Sequence, residues 1–206
     1  MERFVETERL VLRKLCTEDF IDFCAYAADE EMSRMMGRDR ITDAASARPT
    51  FDWLVNREAR AYGLVLKESG RVIGNLNVTL PPQTVRNRVG EEKTGCALSF
   101  CIARAHQRKG LMEEAVRAVM ERLFEEGMDY INCGHFDFNH ASRALQCKLG
   151  FVQLLQEEVE LDCGRVTVEE NILWKKGRIL DVLCALSQRV MGMYSSQKRS
   201  PCVASG

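Results

Sequence analysis

The sequence predicts a mixed α/β domain, and three observations carry that expectation. Residues 94–103 form a nearly unbroken apolar run, the mark of a central buried strand. Beyond it, past Gly110, a helix with a broad apolar face runs to about Glu126, with Gly127 as its stop. The element order reads β-α-α-β-β-β-α-β-α-β-β, with both strand–helix–strand crossovers in the second half.

The elements follow in order. Residues 7–14 read as a strand with Leu10 and Leu12 on one face. Thr17 is placed to cap the next helix, whose first turn holds Glu18 and Asp19 and whose apolar stripe is Phe20, Phe23, Cys24 and Ala27. Residues 32–43 give no clear period, although Met32, Met35 and Met36 offer an adaptable apolar surface that would greet an apolar ligand or fill core. A second helix starts near Thr42, is interrupted at Pro49 and resumes over residues 51–59. Residues 62–67 and 71–80 are strands joined by a short turn at Glu68, Ser69 and Gly70. Residues 81–93 are polar and read as loop. Residues 129–136 form another strand, Asn139 caps a short helix that ends at Gly150, and residues 151–161 and 165–175 close as a hairpin. Past Lys176, apolar residues Ile179, Leu183, Leu186, Val190 and Met193 repeat at helical spacing. The expected organisation is a domain at 1–176, an amphipathic helix at 177–194 that covers the domain or pairs two copies, and a disordered tail at 195–206.

Composition narrows the function. Lys and Arg total 29 against 30 Asp and Glu, a net charge of -1, and no basic block stands out, so nucleic acid is not an expected partner. No apolar run is long enough to span a bilayer, and the N-terminus has no secretory apolar core, which places the expected location in the cytoplasm. The nine cysteines are irregularly spaced and read as reduced thiols. His135 beside Cys133 lacks a second pair at zinc spacing, so no metal is expected. Cys101 and Cys147 have no sequence-evident base that would make either an acyl-carrying nucleophile. Gly110 is not followed by Lys-Ser/Thr, which excludes a nucleotide P-loop. A strand that ends in a glycine-bearing turn and opens a helix does point free N–H groups at one spot, an anion site suited to a phosphorylated cofactor.

Four segments together resemble the GNAT N-acetyltransferase superfamily, RimJ/RimL-like branch. Gln107-Arg108-Lys109-Gly110-Leu111-Met112 is similar to the family's Q/R-x-x-G-x-G/A loop, followed by Glu114-Ala115. Asn139-His140-Ala141-Ser142, then Lys148-Leu149-Gly150-Phe151, resembles an N-x-x-S…K-x-G-F segment, and residues 7–13 resemble the usual opening. The resemblance covers roughly residues 7–175. It implies a mixed central sheet with two splayed parallel strands, here 94–103 and 129–136, helices on both faces, and acetyl-CoA in the gap. It further implies pantetheine pairing with backbone at Phe100, Cys101 and Ile102, pyrophosphate on the N–H groups of Gln107, Arg108, Lys109, Gly110, Leu111 and Met112, Asn139 and Ser142 bordering the thiol end, and Lys148 holding the cofactor from the far side of their helix.

The chain departs from that pattern at named positions. Met112 stands where the family has a small residue, Arg108 where it has glycine, and Glu113 brings negative charge toward the phosphates. The strand position often held by a Glu base is Ala97, and the helix position of a common Tyr acid is Gln146. Ser142 is then the candidate acid at the leaving thiolate. Candidate bases are Glu170 and Glu169 in the last hairpin, Glu157 and Glu158 opposite, and His135 directly or through water; Asn139 borders the same point. The implied activity is acetyl-CoA-dependent acetyl transfer to a primary amine: a protein N-terminus, a polyamine or a small molecule. A non-catalytic acyl-CoA-binding module, motivated by Ala97, Gln146 and Met112, is the alternative. The expected partners are acetyl-CoA and the amine, with no membrane and a monomer or homodimer.

Overall fold

A computed structural model describes residues 3–56, 60–161 and 164–175. The amphipathic segment at 177–194 and the tail at 195–206 lie outside the described residues. Within them the strands are β1 (Arg3–Glu6), β2 (Leu10–Lys14), β3 (Arg60–Leu66), β4 (Val72–Thr79), β5 (Gly95–Ile102), β6 (Tyr130–Phe136), β7 (Val152–Leu161) and β8 (Gly164–Trp174). They form one sheet in the order β1-β2-β3-β4-β5-β6-β8-β7. The helices are α1 (Phe20–Ala27), α2 (Glu30–Met35), α3 (Ala44–Asn56), α4 (Gln83–Val89), α5 (Leu111–Glu125) and α6 (His140–Leu149).

The sheet separates two cores because successive side chains on a strand point to opposite faces. Leu98 and Ile102 of β5 and Ile131 and Cys133 of β6 pack with Leu111, Ala115, Val119 and Leu123 of α5 and Leu149 of α6. On the other face, Cys101 joins Phe23, Tyr26, Met32 and Phe51 under α1–α3, and Tyr130, Ile172 and Trp174 pack on Val85 of α4.

One pairing is parallel, and it is short. β5 and β6 match only at Gly95↔Tyr130, Cys96↔Ile131 and Ala97↔Asn132. β5 then keeps its ladder to β4 as far as Gly74↔Ile102, and β6 keeps its ladder to β8 as far as Phe136↔Val168. Residues 98–102 and 133–136 therefore part company, which is the expected splay.

Several local expectations are corrected. An edge strand, β1, precedes the first expected strand and turns into β2 through Thr7 N–H to Leu10 O, 2.9 Å. Thr17 is not the cap: the Asp19 carboxylate takes Cys16 N–H (2.9 Å) and both Arg13 Nη atoms (2.7 and 2.8 Å). Residues 83–89 are a helix rather than a loop. Its anchor is Val85, fully buried, and Pro82 precedes its first residue. Pro49 does not interrupt α3. A proline there forfeits one ladder bond, but buried Ala47, Phe51 and Leu54 hold both halves on the α1 core. Asp43 rather than Thr42 caps this helix, its Oδ1 taking Ser46 N–H at 2.8 Å.

Candidate active site

The turn after β5 sets the geometry of the site. Gly110 has φ +75 and ψ 0, left-handed values that cost an L side chain, and α5 begins at the next residue. The helix ladder starts with Glu114 N–H to Gly110 O at 3.0 Å. The N–H groups of 111–113 stand ahead of it and face outward at the positive end of the helix dipole. Arg108, at the family's glycine position, also takes a left-handed backbone, φ +58. The loop thus keeps the glycine shape with a cation in it. Met112 does not crowd the mouth, because its side chain is 9% exposed and sits in the α5 core.

Behind the loop is a clamp that sequence reasoning missed. Glu114 accepts from Thr7 Oγ1 (2.6 Å), Arg9 N–H (2.8 Å) and Arg9 Nε (2.6 Å), while Arg9 Nη1 donates to Lys109 O (2.9 Å). Burial opposes charge on Glu114, and these donors overcome it, holding the carboxyl below its ordinary value. Through these bonds Thr7, Arg9 and Glu114, far apart in sequence, brace one loop. Glu113 is turned from the loop toward Lys148 Nζ (2.5 Å) and Arg117 (3.0 Å). Those cations hold its carboxyl low and answer its charge, and Lys148 is thereby engaged in the bridge between α5 and α6.

The gap between the splayed strands opens into a cleft of about 250 Å³. Ser99 and Phe100 line it from β5, Gly134 and His135 from β6, Asn139 and Ser142 from α6, Glu170 from β8, and Met35 and Met36 from the end of α2. Ala103 N–H bonds Ile73 O at 2.8 Å. Narrow pairs alternate along an antiparallel ladder, so the peptide groups of Ser99 and Cys101 also face β4. Those of Phe100 and Ile102 face the gap. This corrects the expectation for Cys101. Gln107 Nε2 donates to Ile102 O at 3.2 Å, which ties the loop to the strand end.

Ser142 and Glu170 reach the cleft from opposite faces of the sheet. Asn139 Oδ1 caps Ser142 N–H at 3.1 Å and its Nδ2 reaches Met35 O at 3.4 Å, so both ends of this side chain are engaged. Gln146, 1% exposed, accepts from Asn171 Nδ2 (2.8 Å) and donates through Nε2 to Ser142 Oγ (3.0 Å). That leaves the Ser142 hydroxyl hydrogen to point elsewhere. The glutamine that departs from the family's tyrosine thus orients the serine. On the other face Glu170 is 8% exposed and accepts from Asn132 Nδ2 at 2.8 Å. Burial raises its carboxyl above the ordinary value against the Asn132 bond; the charge of Glu157 adds to the rise and His135 opposes it. A Cβ at Gly134 would come within 2.8 Å of that carboxylate, so glycine makes the room it occupies.

The other candidate bases stand differently. The His135 ring is 1% exposed; Nδ1 pairs with Phe136 O at 3.0 Å, and Nε2 lies 3.6 Å from Glu169, beyond hydrogen-bond distance. Glu169 accepts from Gln156 at 3.5 Å, and Glu158 is exposed beside Arg165. Glu157 acts on Glu170 through its charge. Among the described residues no group of three His, Cys, Asp or Glu is gathered as a metal site, and no helix is long and apolar enough to cross a membrane.

A family model described as an acetyltransferase (GNAT) domain matches residues 9–152. The chain belongs to the GNAT acetyltransferase family. It is similar to the N-acetyltransferase p20 of Bacillus licheniformis, 27% identical over 135 residues, which are 64% of this chain and 69% of that protein. It is also similar to the N-acetyltransferase YoaA of Bacillus subtilis (strain 168), 24% identical over 152 residues, 71% of this chain and 81% of that one. A GNAT acetyltransferase structure from Bacillus anthracis superposes with TM-score 0.71 at 14% identity, covering 82% of this chain and 97% of that one. The ribosomal-protein-S5-alanine acetyltransferase of Vibrio fischeri gives TM-score 0.65 at 14% identity, covering 86% and 98%. These two share the fold. The protein is an N-acetyltransferase, and GNAT enzymes take their acetyl group from acetyl-CoA.

Proposed function

We propose that this GNAT enzyme, of the RimJ/RimL-like type, transfers acetyl from acetyl-CoA directly to a primary amine within the cleft between β5 and β6. One observation carries the reading: Glu170, a buried carboxyl with a raised pKa, and Ser142, a hydroxyl fixed as a donor, meet one cleft from opposite faces of the sheet. The chain's own groups fit the cosubstrate. The N–H groups of 111–113, with Arg108 and Lys109 beside them, suit a pyrophosphate. The outward peptides of Phe100 and Ile102 suit an extended amide-bearing arm.

Bound acetyl-CoA supplies the acetyl group as a thioester. Glu170 takes the proton that the amine must lose as its nitrogen becomes bonded to carbon, and its raised pKa makes it a better base than an ordinary carboxylate. Ser142 Oγ–H would donate to the sulfur as the carbon–sulfur bond breaks and negative charge grows there, so that CoA leaves as its thiol. The Phe100 N–H, turned into the gap, would be a backbone donor to the charge that develops on the acyl oxygen. Gln146 and Asn132 hold the two side chains in these roles.

Calorimetric titration with acetyl-CoA, CoA and dephospho-CoA, followed by CoA release across an amine panel, tests the proposal. Micromolar acetyl-CoA binding and amine-dependent CoA release are expected. Absence of binding at millimolar acetyl-CoA would overturn the site, and binding without release on any amine would overturn the chemistry.

A further inference from the structure

Arg38 has no use in the chemistry above, and its surroundings are unusual. It follows Met35 and Met36, which line the cleft, and its N–H is anchored on Ser33 O at 3.1 Å. Its Nε and Nη2 are buried and meet no hydrogen-bond partner among the described residues. A guanidinium stays charged in any protein environment. Leaving such donors buried and unpaired costs far more than an ordinary lost hydrogen bond.

Its place on the sheet follows from its neighbours. Met36, two residues before it, lines the cleft with Ser99 and Glu170 and packs on the core under α1–α3. A Cβ at Gly37 would meet the ring of Phe136, another lining residue. In keeping with that, the Arg38 charge opposes the burial-driven rise at Tyr26 and Cys101, which belong to the same core. The phosphate-suited loop opens α5 on the other face, where Leu111 and Met112 pack with Ile102. Arg38 is therefore across the sheet from the loop and on the Glu170 face. Cys101 and Ser99 are two residues apart on one strand face, about 7 Å.

Ser99 points to the same ligand chemistry. Tyr26 Oη donates to Asn75 Oδ1 (3.0 Å), Asn75 Nδ2 to Asn77 Oδ1 (3.2 Å), and Asn77 Nδ2 to Ser99 Oγ (3.2 Å). Cys101 Sγ also donates to Asn75 Oδ1, at 3.0 Å. With every link donating toward the cleft, the Ser99 hydroxyl hydrogen is left to donate into it. One carboxylate, Glu170, and two donor groups then share this face.

Resting on the acetyltransferase reading above, we infer that the amine acceptor also carries a carboxylate, received by the Arg38 guanidinium with Ser99 Oγ–H beside it, while its amine faces Glu170. A polyamine would set a second cation against an uncompensated one.

Acid and amide pairs test this: alanine and alaninamide, β-alanine and β-alaninamide, 4-aminobutyrate and 4-aminobutyramide, with spermidine as the dication. For at least one pair, kcat/KM should favour the acid by tenfold or more, and Arg38→Gln should bring that ratio to within twofold of unity. Binding is read separately, without turnover, from thermal unfolding with the same compounds. The Tm should rise with the acid and not with its amide, and Arg38→Gln should abolish the rise while unfolding no earlier than the wild type when ligand-free, since the two buried guanidinium nitrogens without partners are gone. Equal use of acids, amides and spermidine, or a preference that survives Arg38→Gln, would overturn the inference while leaving the acetyltransferase reading intact. No Tm response to any acid would overturn it whether or not turnover is seen.

Discussion

Replacing Glu170 with glutamine separates the two consequences of burying a carboxyl in the cleft. The side chain keeps its size, and a glutamine Oε1 can still accept from Asn132 Nδ2, 2.8 Å away in the native protein. What is lost is the proposed base. Removal of a general base lowers turnover by about 10²- to 10⁴-fold, roughly 3–5 kcal/mol of barrier. Stability moves the other way. The native carboxyl has a raised pKa, burial being the largest cause, so the folded chain holds this proton more tightly than the unfolded chain. Its contribution favours folding below the unfolded carboxyl's pKa and is lost as pH climbs through the higher native value. Glu170→Gln should therefore gain stability relative to wild type on passing from about pH 4 to pH 8. The assay is a pH profile of CoA release beside urea unfolding at both pH values. Wild type should show an acid limb above the ordinary carboxylate range that the variant lacks. Turnover within threefold of wild type, an unchanged limb, or a variant less stable at pH 8 than at pH 4 relative to wild type would refute the reasoning.

The same structure makes three further predictions. Ser142→Ala should slow turnover about 10- to 100-fold with acetyl-CoA affinity nearly unchanged by calorimetry, because the Asn139 cap bonds the backbone N–H that alanine keeps; equal turnover would reduce Ser142 to a helix residue. Glu114→Gln should release Arg9 and Thr7 from the loop, raising KM for acetyl-CoA several-fold and costing about 1–2 kcal/mol in urea unfolding, and an unaltered KM would mean that the clamp does not shape the loop. Arg108→Gly removes a left-handed residue whose strain is about 1–2 kcal/mol and should leave urea stability equal or higher while weakening acetyl-CoA binding a few-fold; a clear loss of stability would show that the Arg108 side chain, not the loop shape, matters there.

What the sequence revealed and what it hid divide along physical lines. The run at 94–103, Gly110, the Asn139 cap and the stop at Gly127 were legible because each depends on neighbours within a few residues. The Glu114 clamp pairs residues more than a hundred positions apart, and nothing local announces it. Helix α4 was hidden because only Val85, fully buried, and Val89, packed beside it, anchor an otherwise polar segment. Pro49 misled because tertiary burial of Phe51 and Leu54 outweighs one lost ladder bond. Gln146 looked like a missing acid when read by residue type; only its two bonds show it orienting Ser142. A usable signal was present in Asn75, Asn77, Asn132 and Asn171. Amides inside strands that otherwise read as core must be hydrogen-bonded, and all four belong to the chains that orient Ser99, Ser142 and Glu170.

The arrangement also favours the proposed direct transfer over a covalent acyl-enzyme. An acyl carrier would have to be a thiolate able to attack at neutral pH. Cys101 is buried, donates to Asn75 Oδ1, and has its pKa pushed up to about 11, chiefly by burial. Cys133, in the cleft wall, is pushed up further by burial, with the Glu170 charge adding to the effect. Both are held as thiols, and the carboxylate that would serve an amine as base makes the Cys133 thiolate still less favourable. Ser142 is set as a donor by Gln146, and a hydroxyl that gives its hydrogen to a sulfur is not placed as a nucleophile. The gap between β5 and β6 is meanwhile open to both faces of the sheet. A thioester entering beside α5 and α6 and an amine entering beside Glu170 would meet where the strands part. On the proposed reading both substrates are bound before any bond changes, and the same splay that creates the gap removes the need for an acyl-enzyme.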